Sequence, residues 1–320
     1  MTSGSPLVTM FAAPKPFRGA TAWDQERAIE SWVRLGPDCE ILLIGDEYGT
    51  QDTAKIYGAT SLPHVDRNEY GTPLVDSIFH EAERAARGRV LCYVNADILL
   101  TEGFLRAVRA VPFEQFLMVG RRWDLDPQWV PELSEPDWES QLRIRVAEKG
   151  CLRLPDAIDY FVFSRNLWPA IPPFALGRTR WDNWLIYSAR AQRIPIIDAT
   201  PTVMAVHQNH DYSHHRQGTD GVWKGPEAAR NVLLAGGSDK ARFFVTDATW
   251  LLEGSTLKRP PWRLRAQRFI DTGAALHPRA AALFHATMAL VRIKRSALTR
   301  LGMNVAASPS SVHNLTGQGQ

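Results

Sequence analysis

Residues 90–97 read Val-Leu-Cys-Tyr-Val-Asn-Ala-Asp, an apolar run that ends in a polar triplet. Five consecutive apolar residues without alternation are typical of a strand buried on both faces of a parallel sheet. Residues 7–12 and 40–44 are similar apolar runs. Helical periodicity over residues 21–35 and 72–85 separates the three runs, so the sequence predicts an α/β fold with a mostly parallel sheet.

The polar residues after these strands mark one edge of the predicted sheet. Asp46 follows the second run, and Asn95 and Asp97 follow the third. Parallel sheets bind ligands outside the carboxyl ends of their strands. We therefore expect these side chains at the functional edge.

Further elements follow along the chain. We predict a helix over residues 104–111, strands over 116–119 and 160–163 with an irregular stretch between them, a helix that begins near Trp181, and extended runs over 195–197 and 202–206. Residues 260–301 are rich in Arg, Ala and Leu, which predicts a C-terminal helical appendage. We place a first domain at 1–215, the appendage, mixed and then helical, at 216–305, and a disordered polar tail at 306–320.

The composition is that of a folded globular protein. The 320 residues are 45% hydrophobic and 22% charged, which excludes a collagen-like or disordered chain. The formal net charge is only +3, so nucleic acid is not an expected partner. The 3 cysteines are odd in number and far apart, which indicates a reducing compartment.

Neither a signal peptide nor a membrane span is expected. Pro6, Pro14 and Pro16 interrupt the N-terminal apolar stretch, and no apolar run reaches the ~20 residues that span a bilayer. We therefore predict a cytoplasmic protein. The basic C-terminal segment has two interpretations. In the first, the segment contacts the inner face of a membrane through apolar side chains such as Trp262 and Phe269. In the second, it packs on the first domain and its basic face is solvated.

Several common nucleotide-binding and catalytic motifs are absent. The sequence has no G-x-G-x-x-G after the first strand, no Walker A motif, no H-E-x-x-H and no G-x-S-x-G. Dehydrogenases, P-loop enzymes, zincins and α/β-hydrolases therefore lose their main support.

Asp97 is a carboxylate at the end of an apolar strand. Its burial is costly unless a cation or hydrogen bonds compensate the charge. Mg²⁺ and Mn²⁺ favour one or two carboxylates together with phosphate oxygens, so one interpretation is a site for a metal and a diphosphate. The other interpretation is a strand-end Asp that caps the following helix.

Asp182 follows Trp181 at a predicted helix start, and Trp184 lies two residues further on. One interpretation is an acid that stabilises the helix dipole. The other is a general base that takes the proton from a sugar hydroxyl beside an aromatic platform. A third feature is residues 207–215, which contain four of the nine histidines and favour a metal or phosphate site, with a histidine-only zinc site as an alternative.

In this order, the three features resemble the GT-A glycosyltransferases, nucleotide-sugar-dependent enzymes with a Rossmann-like sheet. That family has an Asp-x-Asp element after a central strand, an acidic base motif at a later helix start, and a histidine that completes a metal site. Residues 95–97 match the first element, Asp182 the second, and His207 or His210 the third. The resemblance covers residues 7–212, and the first position of its first motif, usually Asp, is Asn here.

The resemblance implies the chemistry of the site. Mn²⁺ or Mg²⁺ held by Asp97 and a histidine would neutralise the leaving diphosphate of a UDP- or GDP-sugar donor. Asp182 would deprotonate the acceptor hydroxyl, with inversion of configuration, and retention stays open if Asp182 only orients the acceptor. Asn95 would bind sugar hydroxyls, and Trp181 or Trp184 would contact a carbohydrate or lipid-linked acceptor.

The resemblance also places the nucleotide at the ends of the first two strands. Ala13 and Lys15 follow the first strand, Asp46 follows the second, and Arg67 precedes the next helix. Arg67 would pair with phosphate, and Asp46 would accept from the base or ribose. Taken singly, Lys15 and Arg67 also fit solvated charges, and Asp46 fits a turn residue.

Two other functions stay open. A sugar-phosphate nucleotidyltransferase has a similar sheet, although residues 12–16 lack the glycines of its phosphate loop. A non-catalytic nucleotide- or carbohydrate-binding protein that has lost the metal is the second alternative, and Asn95 keeps it open.

Overall fold

The computed structural model describes residues 5–209 and 225–300. The strands are β1 (Val8–Ala12), β2 (Cys39–Ile44), β3 (Thr60–Leu62), β4 (Val90–Val94), β5 (Ile98–Leu100), β6 (Leu117–Val119), β7 (Arg122–Leu125), β8 (Cys151–Leu152), β9 (Tyr160–Ser164), β10 (Ile196–Asp198), β11 (Ala205–Gln208), β12 (Trp250–Glu253) and β13 (Thr256–Lys258). The helices are α1 (Gly19–Val33), α2 (Thr50–Tyr57), α3 (Val75–Ala85), α4 (Gly103–Arg109), α5 (Trp138–Lys149), α6 (Trp181–Ala191), α7 (Pro226–Leu234), α8 (Trp262–Leu276) and α9 (Ala281–Arg300). Across these ranges, no helix has the length and apolarity needed to cross a bilayer.

The main sheet has the strand order β13-β12-β10-β6-β9-β4-β1-β2-β3 among the described residues. The neighbours β4, β1, β2 and β3 are parallel, and so are β6, β10 and β12. Because β9 is antiparallel to both β4 and β6, these two groups point the same way. The predicted α/β fold, with a Rossmann-like and mostly parallel sheet, is confirmed.

The reversed strand β9 affects the functional edge. Tyr160 at the start of β9 lies opposite Val94 at the end of β4. The beginning of β9 is therefore at the edge where the parallel strands end, and the residue before it, Asp159, belongs to that edge. The sequence predicts this strand but not its direction.

The central strands are buried on both faces, and their alternate side chains enter two layers of core. Every residue of β1 and β4 is buried. Met10 packs with Trp32 of α1 on one face, and Phe11 packs edge-on against Phe79 of α3 on the other. Helices on both faces explain why these strands are apolar apart from Thr9 of β1, whose hydroxyl donates to Glu40 Oε2 at 2.5 Å.

A smaller sheet has the order β5-β11-β7-β8 in the described residues, and its edge strand β5 directly follows β4 in the chain. Its central strand β11 pairs antiparallel with β5 and parallel with β7. The register places His207 opposite Ile98 on one side and opposite Asp124 on the other. Because Asp97 directly precedes Ile98, this sheet brings Asp97, His207 and Asp124 together.

Some elements differ from the sequence prediction. The helices α2 and α5 are not predicted, and α3 begins at Val75 instead of residue 72. Residues 73 and 74 are extended because their backbones bond elsewhere. The Leu74 N–H donates to the Asp66 carbonyl at 2.9 Å, and the Pro73 carbonyl accepts from the Leu176 N–H at 2.9 Å.

The C-terminal part contributes to the sheet before it becomes helical. β12 pairs with β10 and so extends the main sheet beyond residue 215, where we place the end of the first domain. The predicted helical appendage is present and begins at α8. Arg268 joins α8 to the sheet domain through a buried ion pair with Asp247 at 2.6 Å. The tail at 306–320 lies outside the described residues.

Candidate active site

Three parallel strands end side by side at one edge of the main sheet. The register pairs Ala12 of β1 with Leu43 of β2, and β4 lies on the other side of β1. The predicted nucleotide residues Ala13, Asp46 and Asn95 therefore follow neighbouring strands.

Asn95 is held on both sides of its amide. Its Nδ2 donates to Asp159 Oδ1 at 2.6 Å, and its Oδ1 accepts from the Tyr93 hydroxyl at 2.9 Å. The Asn95 backbone N–H also donates to the Asp159 carbonyl at 2.9 Å. These bonds fix the amide orientation and, among the described residues, leave one N–H and one acceptor position for a ligand.

His207 lies between two carboxylates. Its Nε2 is 3.9 Å from Asp97 Oδ2, and its Nδ1 is 3.4 Å from Asp124 Oδ1. Only 7% of the residue is exposed. A carboxylate beside one ring nitrogen orients an imidazole, so Asp124 directs the other nitrogen towards Asp97.

Arg122 connects this group to Asn95. Its Nε donates to Asp124 at 2.9 Å, and its Nη1 donates to both Asp159 oxygens at 2.9 and 3.0 Å. Burial alone would lower the pKa of Arg122. The attraction of Asp159 and Asp124 outweighs burial, so the pKa lies above its ordinary value. Burial likewise opposes ionisation of Asp124, but His207 and Arg122 hold its pKa below the ordinary value. Arg122 thus links Asp124 and Asp159, and through them His207 and Asn95, into one set of interacting side chains.

Asp182 lies in the first turn of α6. Burial raises its pKa from 3.8 to about 6, with a smaller contribution from Asp159, while the Asn183 amide and Arg180 act in the opposite direction. The start of the helix is fixed because Asn183 Nδ2 donates to the Phe243 carbonyl at 2.8 Å. A positioned carboxyl group with a pKa near neutrality is suited to general-base chemistry.

The two tryptophans of α6 have different surroundings. Trp181 is 6% exposed, and its ring packs 5.2 Å from Tyr93 and 5.6 Å from Phe161 between centroids. It shares the inward face of α6 with Leu185, one turn later, so its ring belongs to the core and offers no open face to a sugar. We therefore correct the expectation of acceptor contact for Trp181. Trp184 is half-buried and keeps exposed surface.

The backbone of Lys15 is positioned by a buried glutamine that no sequence motif marks. The buried Gln25 of α1 accepts from the Lys15 N–H at 2.6 Å and donates to the Lys15 carbonyl at 2.9 Å. A primary amide that satisfies both backbone groups of one residue fixes the course of the chain after β1.

Arg67 and Asp46 are in direct contact. Arg67 Nη2 lies 2.6 Å from Asp46 Oδ1 and 2.9 Å from Glu47 Oε1, and its Nη1 donates to the Gly71 carbonyl at 2.8 Å. Hydrogen bonding from Arg67 lowers the pKa of Asp46. The two residues predicted to bind phosphate and ribose thus form an ion pair at the end of β2.

The predicted metal ligands are Asp97, His207 and His210. The first two are adjacent, and His210 lies outside the described residues. Within residues 5–209 and 225–300, no group of three or more His, Cys, Asp and Glu side chains is arranged to hold a metal ion. Asp97 and His207 therefore supply one carboxylate and one imidazole as potential ligands.

Three charged residues of the site were not predicted: Arg122, Asp124 and Asp159. Charged and apolar side chains alternate over residues 122–125, with charges at positions 122 and 124. This alternation is the weak sequence signal of a strand, within a stretch predicted to be irregular. Asp159 directly precedes an apolar run, and only the direction of β9 brings it to this edge.

No protein-family model matches the chain, and neither does a curated protein. Among solved structures, the chain is similar to glucosyl-3-phosphoglycerate synthase from Mycobacterium tuberculosis in complex with phosphoglyceric acid, with 16% identity, a TM-score of 0.45 and coverage of 74% of this chain and 82% of that one. The same synthase in complex with Mg²⁺ and uridine-diphosphate gives 16% identity, a TM-score of 0.43 and coverage of 74% and 81%. S. aureus TarS 1-349 gives 10% identity, a TM-score of 0.39 and coverage of 63% and 58%. These TM-scores are too low to support a conclusion about activity.

Proposed function

We propose that this protein is a glycosyltransferase that moves a sugar from a nucleoside-diphosphate sugar to a hydroxyl acceptor. The observation that carries the proposal is a carboxyl group of raised pKa, Asp182, at the same edge as the pair Asp97 and His207. Burial, and then the charges of Asp97, Asp159 and Asp182, raise the pKa of Tyr93, which supports the proximity of these carboxylates. Sugar transfer needs a proton acceptor on one side and charge stabilisation for the leaving group on the other.

Asp97 and His207 are the residues that would hold a divalent cation, with His210 as a proposed third ligand. The distance between Asp97 Oδ2 and His207 Nε2 is 3.9 Å, which is longer than a hydrogen bond. A carboxylate with an imidazole suits Mn²⁺, and Mg²⁺ binds through as few as one or two carboxylates and phosphate oxygens. When bound, the cation supplies positive charge to the departing diphosphate.

Asp182 is proposed as the general base. Its ionised carboxylate would take the proton from the acceptor hydroxyl as that oxygen attacks the anomeric carbon. The bond to the acceptor oxygen forms on the face opposite the departing diphosphate, so the configuration inverts. The raised pKa places the proton affinity of Asp182 close to that needed near neutral pH.

The donor nucleotide is proposed to lie over Ala13, Lys15 and Asn95. Arg67 is the proposed phosphate ligand, because a guanidinium binds phosphate through paired hydrogen bonds. In the structure it binds Asp46 at 2.6 Å, so phosphate would replace that carboxylate. The released Asp46 would then accept from the ribose or base of a UDP or GDP nucleotide.

The acceptor is proposed to lie beside Asp182 and Trp184. Trp184 is half-buried, with its centroid 5.7 Å from that of Phe174, so part of its ring remains accessible. A partly exposed indole suits the apolar face of a sugar, whether in a carbohydrate or a lipid-linked acceptor.

A thermal-shift titration of the full chain tests nucleotide binding. UDP and GDP are each added with and without Mn²⁺ to the wild type, to Asp97→Asn and to Asp52→Asn, a control at an exposed acid of α2. A nucleotide at ~100 times its Kd adds about 2.7 kcal/mol to the free energy of unfolding, or roughly 5 °C in Tm. We expect a Mn²⁺-dependent shift for one nucleotide in the wild type and in Asp52→Asn, and a smaller one in Asp97→Asn. No shift with either nucleotide would refute the proposal.

Turnover distinguishes an enzyme from a non-catalytic binding protein. The release of nucleoside diphosphate from a panel of UDP- and GDP-sugars is measured for the wild type and Asp182→Asn. We expect a loss of about 10²–10⁴-fold in the variant with an unchanged thermal shift, because a base acts on the rate and not on nucleotide binding. A thermal shift without turnover for every donor would instead favour a non-catalytic binding protein.

A further inference from the structure

The helices α8 and α9 form a hairpin with an apolar outer side. Its exposed large side chains are Trp262 at 71%, Phe269 at 53%, Leu283 at 68% and Leu290 at 68%. Trp262 and Phe269 are seven residues apart on α8, and the two leucines are seven residues apart on α9. A spacing of two turns places each pair on one face of its helix.

The inner side of the hairpin makes the contacts with the rest of the protein. Arg268 Nη2 lies 2.6 Å from Asp247 Oδ2, and both side chains are buried. On α9, His285 Nε2 lies 2.8 Å from Asp239 Oδ2, and Met288 is buried. The exposed apolar side chains are therefore not needed to attach the hairpin.

The two helices also pack on each other, and Phe269 takes part in this contact with the half of its surface that is not exposed. The Phe284 ring of α9 fills the space beside Gly273, where a Cβ would meet the ring at 2.1 Å, and its centroid is 5.3 Å from that of Phe269. Residues 281–291 of α9 contain no Asp, Glu, Lys or Arg. The outer face of α9 is apolar for three turns and exposes Ala282, Ala286 and Ala289 beside its leucines.

Basic side chains flank the apolar outer side. Arg263 and Arg265 are exposed on either side of the line between Trp262 and Phe269, and Arg279 is exposed at the turn after α8. One acid, Asp271, occurs in residues 258–300 among many Lys and Arg. Its Oδ2 lies 3.5 Å from Arg268, so its charge is directed to the inner side.

We propose that the outer side of the α8–α9 hairpin docks on an anionic lipid surface. Apolar side chains flanked by arginines match the boundary between acyl chains and anionic headgroups. A second copy of the chain fits less well, because two such surfaces would bring their arginines together. The proposal does not depend on the glycosyltransferase function, since none of these residues belongs to the candidate active site.

Vesicle co-sedimentation of the full chain tests the apolar contribution. The probes are vesicles of phosphatidylcholine alone and vesicles of phosphatidylcholine with an equal part of phosphatidylglycerol. We expect the wild type to bind only the anionic vesicles. Leu283→Gln/Leu290→Gln should lower that affinity by about 100-fold. The control Ile56→Gln/Ile144→Gln replaces side chains that are 76% and 55% exposed elsewhere and should bind as the wild type does.

A second pair of variants tests the charges. Arg263→Gln/Arg265→Gln should lower affinity for anionic vesicles by roughly 10–30-fold. The control Arg143→Gln/Arg145→Gln has the same spacing on α5, is also exposed, and should have no effect.

Three results would overturn the proposal. The first is the absence of binding to anionic vesicles, and the second is binding that neither hairpin variant weakens. The third is a concentration-dependent dimer in analytical ultracentrifugation that Leu283→Gln/Leu290→Gln abolishes, which would assign the surface to a second copy.

Discussion

The substitution Asp182→Asn is expected to stabilise the protein near neutral pH. The pKa of Asp182 is about 6 in the folded protein, against an ordinary value of 3.8. A raised carboxyl pKa means that the folded state binds the proton more tightly than the unfolded state does. Ionisation of Asp182 above pH ~6 therefore costs stability, and the cost disappears as the pH falls through the folded pKa towards the unfolded one.

The size of the effect follows from the pKa difference. A shift of about two units corresponds to about 3 kcal/mol. Asn removes this cost, but it also loses the attraction between an acid in the first turn and the helix dipole, about 0.3–1 kcal/mol. Partial solvent access reduces the gain further. We expect a net increase in the free energy of unfolding of about 1–2 kcal/mol at pH ~8 and no increase below pH ~4.

Urea denaturation of the wild type and Asp182→Asn across this pH range measures the difference. Asp52→Asn, at an exposed position, is the matched control and should show no such pH-dependent gain. The reasoning is refuted if Asp182→Asn is less stable than the wild type at the alkaline end, or if the difference between them does not change with pH.

Four further outcomes are expected. If Asp182 is the general base, kcat/KM of the wild type falls about tenfold per pH unit below pH ~6, because only the ionised carboxylate accepts a proton, and a flat acid limb contradicts this role. Arg122→Met lowers the free energy of unfolding by about 3 kcal/mol in denaturation experiments at pH ~7, because two carboxylates lose a buried partner. The control Arg84→Gln breaks a more exposed pair and costs less than about 1 kcal/mol. Tyr160→Phe is neutral or stabilises by about 1 kcal/mol, because the buried Tyr160 hydroxyl has no hydrogen-bond partner among the described residues. Gly120→Ala costs about 1–3 kcal/mol, because its Cβ would lie 2.1 Å from that hydroxyl oxygen. Gly120→Ala/Tyr160→Phe recovers part of this cost, since the Tyr160 ring carbon Cζ stays 3.0 Å from the Cβ.

The sequence predicts the part of the fold whose local pattern is determined by burial. Residues 90–94 form a strand with both faces covered, so every position must be apolar, and the polar residues that follow must lie at its end. The same reasoning gives the apolar positions of β1 and β2, whose buried polar residues Thr9 and Glu40 bond to each other. The neighbourhood of Ala13, Asp46 and Asn95 then follows from parallel pairing.

The sequence does not predict features that depend on strand direction or register. Asp159 reaches the functional edge only because β9 is antiparallel, and an apolar run reads the same in either direction. Asp124 meets His207 through the pairing of β7 with β11, whose residues are far apart in the chain. The orientation of α6 is a similar case. Trp181 is buried because its ring packs against Tyr93 and Phe161 of the sheet, and the sequence of α6 alone does not show which face meets the sheet.

The departure from the Asp-x-Asp pattern at Asn95 has a physical reason in the surrounding charges. Asn95 Nδ2 donates to Asp159 Oδ1 at 2.6 Å, and an ionised Asp in this position has no proton to donate. It would also place one more carboxylate beside Asp97, Asp124 and Asp159, which already surround Arg122. An amide satisfies Asp159 without adding charge. Asn95 is therefore explained by its neighbour and does not by itself indicate that a metal site has been lost.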